Sequence, residues 1–162
     1  MAASSILRTR PAVWRDEATC AASAAILARR AALRDAFIEL HGPLGAGKTT
    51  FVRHLLHALG VTGAIKSPSY ALMEPYRTGE GDSAFDIAHC DFYRFDDPAE
   101  WEDAGFRDVF ASPGLKLVEW PEKAAALLPR CDLRIEIEPR EVGDARDVRF
   151  IALSETGEAL LP

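Results

Sequence analysis

The stretch GPLGAGKT, Gly42 to Thr49, decides how the rest of the chain is interpreted. It satisfies the pattern G-x-x-x-x-G-K-[S/T] and lies between a short apolar segment, DAFIELHG (35–42), and an amphipathic segment, KTTFVRHLLHALG (48–60). In a strand–loop–helix unit, the glycines of this pattern let backbone N–H groups surround phosphate oxygens, and the helix adds its positive N-terminal end. The stretch therefore predicts a phosphate-binding loop rather than an ordinary glycine turn.

The last two residues of the motif have distinct chemistry. We expect the Lys48 ammonium to reach the β- and γ-phosphates of a nucleoside triphosphate, and the Thr49 hydroxyl to ligate Mg²⁺. The sequence thus predicts a magnesium–nucleotide site at the start of the helix.

Composition restricts the class of protein. The chain has 162 residues, of which 48% are hydrophobic and 27% charged, which is typical of a soluble globular protein, and we expect one domain over 1–162. No apolar run is long enough to cross a bilayer and no signal-peptide core follows the first ten residues, so we predict a cytoplasmic protein. The net charge of −6 argues against direct binding to nucleic acid, which depends on positive charge to neutralise phosphates. Three widely spaced cysteines without C-x-x-C spacing predict buried thiols.

Helical and strand patterns alternate along the chain. Helices are predicted at 16–33, 48–60, 121–128 and from Asp97, which would cap a helix with Pro98 in its first turn. Strands are predicted near residue 10 and at 35–42, 70–76, 85–95, 115–120, 132–139 and 147–153. This order predicts an α/β fold with a mixed, partly parallel sheet whose C-terminal strands are antiparallel.

The stretch HCDFYRF (89–95) places His, Cys and Asp side by side. Because side chains alternate along a strand, His89 and Asp91 would point to one face and Cys90 to the other. We therefore do not expect the three to converge on a transition metal. A magnesium nucleotide needs an acidic residue at the end of a strand beside the phosphate loop, and Asp91 fits that role. The alternative, a turn cap or an ion pair with Arg94, stays open.

Two further stretches contain candidate residues. Glu119 ends the most hydrophobic predicted strand, where a second acid beside Mg²⁺ or the attacking water would stand; the alternative is an exposed strand-end carboxylate. Trp120 is expected to be a core or interface aromatic. In KSPSY (66–70), the hydroxyls of Ser67 and Ser69 flank a proline, which suggests a nucleotide-sensing switch, with a simple proline turn as the alternative.

Taken together, these stretches resemble the TsaE family, the small P-loop ATPases of bacterial tRNA threonylcarbamoyladenosine synthesis. The matching segments are GPLGAGKTT, KSPSYALMEPY, HCDFYRF, LVEWPE and SETGEALL, in the same order and over nearly the whole chain. The phosphate loop alone would be generic, whereas its combination with S-P-[T/S]-[Y/F], H-x-D-x-Y-R and E-W-P is specific. The resemblance implies a three-layer, P-loop NTPase-like domain.

The resemblance also implies which residues form a site for ATP and Mg²⁺. Its ATP-binding residues would be Leu44, Gly45, Ala46, Gly47, Lys48, Thr49 and Thr50, with Arg146 from the final hairpin and Thr19 on the adenine side. Asp91 and Glu119 would be the catalytic acids and, with Thr49, the metal ligands. The switch and partner residues would be Ser67, Ser69, where the family usually has Thr, Tyr70, Arg94 and Trp120.

The implied function is ATP binding and hydrolysis in support of threonylcarbamoyl modification of the tRNA adenosine next to the anticodon. The partner proteins TsaB and TsaD would carry out the transfer, and this chain, a monomer when alone, would contact tRNA only through their complex and no membrane. Two alternatives remain, a small-molecule P-loop kinase and a nucleotide-binding adaptor. A guanine-specific switch is disfavoured because the chain contains no Asn or Gln, and hence no N-K-x-D motif.

Overall fold

The computed structural model describes residues 5–68, 71–79 and 81–162. Its strands are β1 (Arg8–Trp14), β2 (Phe37–His41), β3 (Met73–Thr78), β4 (Phe85–Asp91), β5 (Leu115–Glu119), β6 (Leu133–Pro139) and β7 (Arg146–Ala152). Its α-helices are α1 (Glu17–Ala28), α2 (Lys48–Ala58), α3 (Pro98–Asp103), α4 (Phe106–Ala111) and α5 (Glu155–Ala159). Short 3-10 turns cover Ala31–Asp35, Gly81–Ser83 and Pro121–Ala124.

Within the described residues the strands form one seven-stranded mixed sheet in the order β1-β7-β6-β2-β5-β4-β3. The central strands β6, β2, β5 and β4 are parallel neighbours. Antiparallel strands flank them, β7 and β1 on one side and β3 on the other. The predicted mixed sheet with antiparallel C-terminal strands is confirmed, and the antiparallel edge formed by β3 is an addition to that prediction.

Helices cover both faces of the sheet and make three layers. On one face, α1 and α2 bury residues such as Leu27, Phe51 and Leu55 against the central strands. On the other face, Trp101 of α3 and Phe106 of α4 form a second core. Strand β5 serves both cores, since Leu115 and Leu117 lie in the first and Val118 in the second. Every residue of β5 is buried, so this central strand is covered on both faces.

The carboxyl ends of β2, β5 and β4 lie at one edge of the sheet, where the site is built. The phosphate loop follows β2, and the register pairs Asp91 of β4 with Glu119 of β5. The ends of parallel strands are the usual location of ligand sites in such folds. Two acids that are 28 positions apart in sequence thus become neighbours.

Several predicted boundaries were wrong. The strand predicted at 85–95 ends at Asp91, whose Oδ1 accepts a hydrogen bond from the Tyr93 backbone N–H (2.9 Å) and turns the chain. The next residue, Phe92, packs its ring against Phe106 (5.2 Å between centroids) in the second core. The helix predicted at 121–128 is only a 3-10 turn over Pro121–Ala124.

Helix caps agree with the sequence patterns. Asp16 caps α1 by accepting a hydrogen bond from the Thr19 backbone N–H (2.8 Å). Asp97 caps α3 in a reciprocal capping box with Glu100, and Pro98 occupies the first turn. The helix predicted at 16–33 is interrupted, because α1 ends at Ala28 and a 3-10 turn follows. Among the described residues, no helix has the length and apolar character to cross a membrane.

Candidate functional site

The loop between β2 and α2 is shaped by glycines. Gly47, at the N-terminus of α2, has φ 107°, a left-handed conformation that side chains disfavour. Gly42 is required for a different reason, since a Cβ there would lie 2.5 Å from the Ile137 carbonyl oxygen on β6. The loop therefore packs closely against the sheet and leads directly into the positive end of α2, as a phosphate-binding loop requires.

Lys48 is buried where the loop meets α2, with 5% of its surface exposed. Its Nζ donates to the carbonyls of Gly42 and Pro43, the latter at 3.1 Å. The ammonium also lies 3.9 Å from the centre of the Trp120 ring. Burial lowers the pKa of Lys48, and the nearby Glu119 carboxylate opposes that shift. The two carbonyls use two of the three N–H donors of the ammonium, so one donor remains for a ligand next to the loop.

Glu119 joins the phosphate loop to the sheet. Only 2% of the residue is exposed, and its Oε1 accepts a hydrogen bond from the Thr49 hydroxyl (2.8 Å). Its other carboxylate oxygen, Oε2, lies 2.6 Å from Nε2 of His89. The predicted exposed alternative for Glu119 is wrong, because the side chain is enclosed and bound at both oxygens.

Asp91 lies beside Glu119 at the end of β4. Burial raises the pKa of its carboxyl; the hydrogen bond from the Tyr93 backbone opposes this shift, and the neighbouring Glu119 adds to it. Together with the Thr49 hydroxyl, the two acids form a set of oxygen donors, the type that Mg²⁺ prefers. No cluster of three or more His, Cys, Asp or Glu side chains suited to a metal ion occurs within the described parts of the chain. Ligands beyond this set would have to be substrate phosphates or water, as is usual for Mg²⁺.

These groups share one cavity of about 290 Å³. Its lining consists of Leu44, Gly45, Ala46, Gly47, Lys48, Thr49, Thr50, Ser67, Asp91, Tyr93, Glu119 and Trp120. The structure therefore brings together every phosphate-loop residue predicted from the resemblance, both acids, and one hydroxyl of the KSPSY stretch. Ser67 Oγ is 3.1 Å from Thr49 Oγ1. Ser69 and Tyr70 lie outside the described residues.

Trp120 has an unusual backbone. Its φ of 54° and ψ of 47° place it in the left-handed region, which is rare for a bulky residue. Leu72 (φ 60°) has a similar φ, so it is the contacts of Trp120 that connect it to the site. The indole packs against the Tyr93 ring (4.9 Å between centroids) and lies over Lys48. It therefore forms part of the cavity wall rather than a core contact alone. Arg94 is exposed on the turn that follows Tyr93.

A second cavity, of about 270 Å³, adjoins the first through Ala46, Gly47 and Thr50. Its other walls are Trp14, Asp16, Glu17, Cys20, Asp144 and Arg146. Arg146 donates from Nε to the Ala46 carbonyl (2.9 Å) and from a terminal nitrogen to the Asp144 carbonyl (2.7 Å), which fixes it against the loop. The Thr19 hydroxyl donates to Asp16 (2.7 Å), so Thr19 lies beside this cavity as part of the α1 cap.

Reasoning from sequence missed two residues at the site. His89 is completely buried and contacts Glu119, whereas the sequence pattern was used only to argue against a metal. Its position two residues before Asp91, on the same strand face, was the available signal. Trp14 is 3% exposed, stacks on Phe51 (5.2 Å between ring centroids) and lines the second cavity. No sequence motif includes Trp14, so no signal in the sequence indicated it.

Comparison with known proteins assigns the chain to a family. The model of the family described as threonylcarbamoyl adenosine biosynthesis protein TsaE matches residues 14–148. The chain is 39% identical over 124 residues to the tRNA threonylcarbamoyladenosine biosynthesis protein TsaE of Haemophilus influenzae, covering 76% of this chain and 75% of that protein. The Bacillus subtilis protein of the same name is 36% identical over 123 residues, covering 76% of this chain and 73% of the relative.

Structural similarity agrees with the sequence match. The crystal structure of YdiB from Bacillus subtilis superposes with a TM-score of 0.73 at 27% identity, covering 94% of this chain and 91% of that one. The shared family is P-loop NTPase-like and nucleotide-binding, in keeping with the phosphate loop between β2 and α2. The chain belongs to the TsaE family.

Proposed function

We propose that this protein binds ATP with Mg²⁺ and hydrolyses it to support the biosynthesis of threonylcarbamoyladenosine in tRNA. The observation that carries the proposal is the hydrogen bond between the Thr49 hydroxyl and the Glu119 carboxylate (2.8 Å), which joins the phosphate loop to the acid at the end of β5. The pathway is supported by the names of the relatives in Haemophilus influenzae and Bacillus subtilis, both tRNA threonylcarbamoyladenosine biosynthesis proteins.

The phosphates of ATP would lie in the first cavity. The loop of residues 44–50 lines this cavity and leads into α2, whose first N–H groups have no partner within the helix, and Lys48 supplies the positive charge. Because Lys48 is 5% exposed and its pKa is lowered by burial, an anionic phosphate is a favourable partner for its remaining donor. The proposed role of the loop is therefore to bind the phosphates.

Thr49, Glu119 and Asp91 are the residues that would hold Mg²⁺, since they form the oxygen-rich wall of that cavity. When bound, Mg²⁺ supplies positive charge that stabilises the negative charge of the phosphates. Glu119 is fixed by its two hydrogen-bonded contacts, and Asp91 is fixed by the Tyr93 backbone. Both acids can therefore orient an attacking water without reorganising, which is the arrangement that lowers a reaction barrier.

The second cavity would accept the nucleoside part of ATP, since it shares the wall formed by Ala46, Gly47 and Thr50 with the first. Arg146, held against the loop by the Ala46 carbonyl, would lie near the ribose or the base, with Thr19 at the adjoining start of α1. Trp14, which lines this cavity, is the aromatic residue that would contact a base.

Partner proteins would complete the site. The chain contains no Gln to orient water, and Arg94, the arginine closest in sequence to Asp91, is exposed on a turn. We infer that TsaB and TsaD stimulate hydrolysis by contacting Ser67 and Trp120, which line the phosphate cavity. With a net charge of −6, the protein would reach tRNA only through that complex.

The proposed form of the protein is one cytoplasmic P-loop domain over 1–162, monomeric when alone. The deciding experiment is steady-state ATP hydrolysis at fixed Mg²⁺, with the purified protein alone and with TsaB and TsaD. Stimulation of about tenfold or more is expected, because a catalytic group supplied in trans contributes at least that much in related phosphoryl-transfer sites. Equally fast hydrolysis without partners, or phosphate transfer to a small molecule, would contradict the partner-dependent function and favour a free ATPase or a small-molecule kinase.

A further inference from the structure

His89 is a buried residue that touches the site without lining it. Its side chain has 0% exposure, and its Nε2 lies 2.6 Å from Glu119 Oε2. Glu119 lines the phosphate cavity, whereas His89 lies behind Glu119 and outside that lining. His89 can therefore influence the site only through the residue in front of it.

The register of the sheet explains this contact. Strands β4 and β5 pair Asp91 with Glu119 and His89 with Leu117, so the imidazole reaches Glu119 diagonally on the same face. The imidazole thus lies next to the Glu119 carboxylate, two residues before Asp91 along β4.

The hydrogen-bonding pattern indicates which nitrogen carries the proton. Nδ1 of His89 is buried and has no hydrogen-bond partner among the described residues. A buried N–H without an acceptor is costly, so the Nε2–H tautomer is favoured, and Nε2 donates to the carboxylate. The Glu119 side chain therefore accepts one hydrogen bond from His89 and one from Thr49, at opposite oxygens.

We propose that His89 is a positioning residue that keeps Glu119 turned toward Thr49 and the phosphate cavity. The proposal rests on the proposed function of the site. A glutamate has three rotatable side-chain bonds, and a single contact to Thr49 leaves the carboxylate free to pivot. The second contact removes that freedom, so that Oε1 stays on the Thr49 hydroxyl. Hydrogen-bond partners behind the ligands of a metal site typically change affinity or activity by about 10- to 100-fold when removed.

The first test measures binding rather than catalysis. The dissociation constant for ATP is determined by calorimetry with Mg²⁺ and with a chelator, for the wild-type protein and for His89→Leu. Affinity without Mg²⁺ should stay within about threefold of wild type, because the phosphate loop is intact. The gain in affinity from Mg²⁺ should fall about tenfold or more, and kcat with partners should fall more than KM rises.

A conservative variant separates positioning from packing. His89→Gln keeps an N–H donor at about the reach of Nε2 and should retain most of the Mg²⁺ gain, whereas His89→Asn is too short and should lose it. Should His89→Leu fail to fold, this pair of polar variants carries the test. Equal behaviour of the Gln and Asn variants would overturn the positioning role.

A double variant tests whether His89 acts through Glu119. Once Glu119→Ala has removed the carboxylate, adding His89→Leu should cause no further loss of the Mg²⁺ gain or of kcat, since residues that act as a unit are not additive. A further loss of about tenfold in the double variant would contradict the proposal.

A matched control is available on the other face of the sheet. His41 and Glu39 form a similar pair (2.9 Å), and the alternation from Phe37 places both toward the second core, away from α2. His41→Leu should leave the Mg²⁺ gain unchanged.

The two proposals fail in different ways. A wild-type protein that binds no ATP would refute the proposed function, whereas a normal Mg²⁺ gain and a normal kcat in folded His89→Leu would refute only the role of His89.

Discussion

Lys48 and Lys116 lie at opposite ends of the sheet, and both are buried and donate to backbone carbonyls. Lys48 is 5% exposed and Lys116 is 7% exposed. Lys48 donates to the carbonyls of Gly42 and Pro43, and Lys116 to those of Ser112 and Gly114. Burial lowers the pKa of both, and in both cases nearby carboxylates oppose that shift. The local chemistry of a buried lysine is therefore shared by both ends.

The difference lies in what surrounds each ammonium. Lys48 begins a helix, adjoins the glycine loop, and shares a cavity with Asp91 and Glu119. Lys116 lies near the start of β5, with Asp35 as the acid that acts on its pKa, and the turn before it leads into a strand. A strand start lacks the row of free N–H groups that a helix N-terminus offers to an anion. Burial of a lysine alone therefore does not make a phosphate site.

The strongest test of this comparison replaces each lysine in turn. Lys48→Ala should lower ATP affinity by about 100-fold or more, because it removes the charge-assisted contact to the phosphates. Lys116→Ala should leave ATP affinity unchanged. It should reduce the free energy of unfolding by about 1–3 kcal/mol, because the two carbonyls that accept from the ammonium lose their hydrogen-bond donor. Calorimetry measures the affinities and denaturant unfolding the stability. Wild-type ATP binding by a folded Lys48→Ala variant would show that the two lysines do not differ in function.

The acids on the Lys48 side should affect the rate more than the affinity. Asp91→Ala and Glu119→Ala should each bind ATP but hydrolyse it about 100-fold more slowly, because each removes a group that positions charge or water in the transition state. Single-turnover and steady-state hydrolysis in the presence of partners measure the loss. Normal turnover by both variants would show that neither acid is catalytic. The phosphate loop would then be the only feature that distinguishes the surroundings of Lys48 from those of Lys116.

Thr49→Ala should have a smaller effect. The variant loses the hydroxyl that donates to Glu119 and that is predicted to ligate Mg²⁺, while the backbone of the loop is kept. We expect its ATP affinity in chelator to match wild type and the gain from added Mg²⁺ to fall by about tenfold. Thr50→Ala, one residue further along α2, is a useful comparison because Thr50 also lines the cavity. An unchanged Mg²⁺ gain in Thr49→Ala would exclude that residue as a ligand.

The smallest effect concerns stability and pH. Burial raises the pKa of Asp91 in the folded protein, so the folded state binds this proton more tightly than the unfolded state. The resulting stability is present below the unfolded-state pKa and is lost as pH rises through the folded-state pKa. Asp91→Asn should therefore be slightly more stable than wild type at neutral pH, and the difference should vanish in acid. A thermal-unfolding series across that range checks this, and a variant less stable than wild type at neutral pH would contradict it.

The phosphate loop was predictable because its information is local. A strand, a glycine turn and a helix follow one another within 35–60, and periodicity with glycine spacing predicts each of them. Asp91 was predictable as an acid near the end of a strand, although the predicted strand (85–95) is four residues longer at its C-terminal end than β4. That error arose because the apolar alternation continues into Phe92, which is buried in a turn by tertiary packing rather than by strand geometry.

The partners of these residues were not predictable, because they depend on contacts across the sheet. The contact of His89 with Glu119 requires β4 and β5 to be parallel neighbours in one particular register. The second cavity combines Trp14 near the start of the chain with Arg146 near its end, through pairing of β1 with β7. Neither relationship leaves a periodic signal in the sequence.

The sequence by itself determined the α/β class, the phosphate-loop pattern and the helix caps at Asp16 and Asp97, and it predicted two candidate acids, Asp91 and Glu119. These features depend on residues close together in the chain, where backbone preferences and side-chain spacing act directly. Tertiary structure decided that the Glu119 carboxylate contacts Thr49 with one oxygen and His89 with the other, and that the Trp120 ring packs on the Lys48 ammonium. Those arrangements depend on strand register and on close packing between distant segments. A one-residue change in the register of β4 against β5 would turn His89 away from the face that Glu119 occupies.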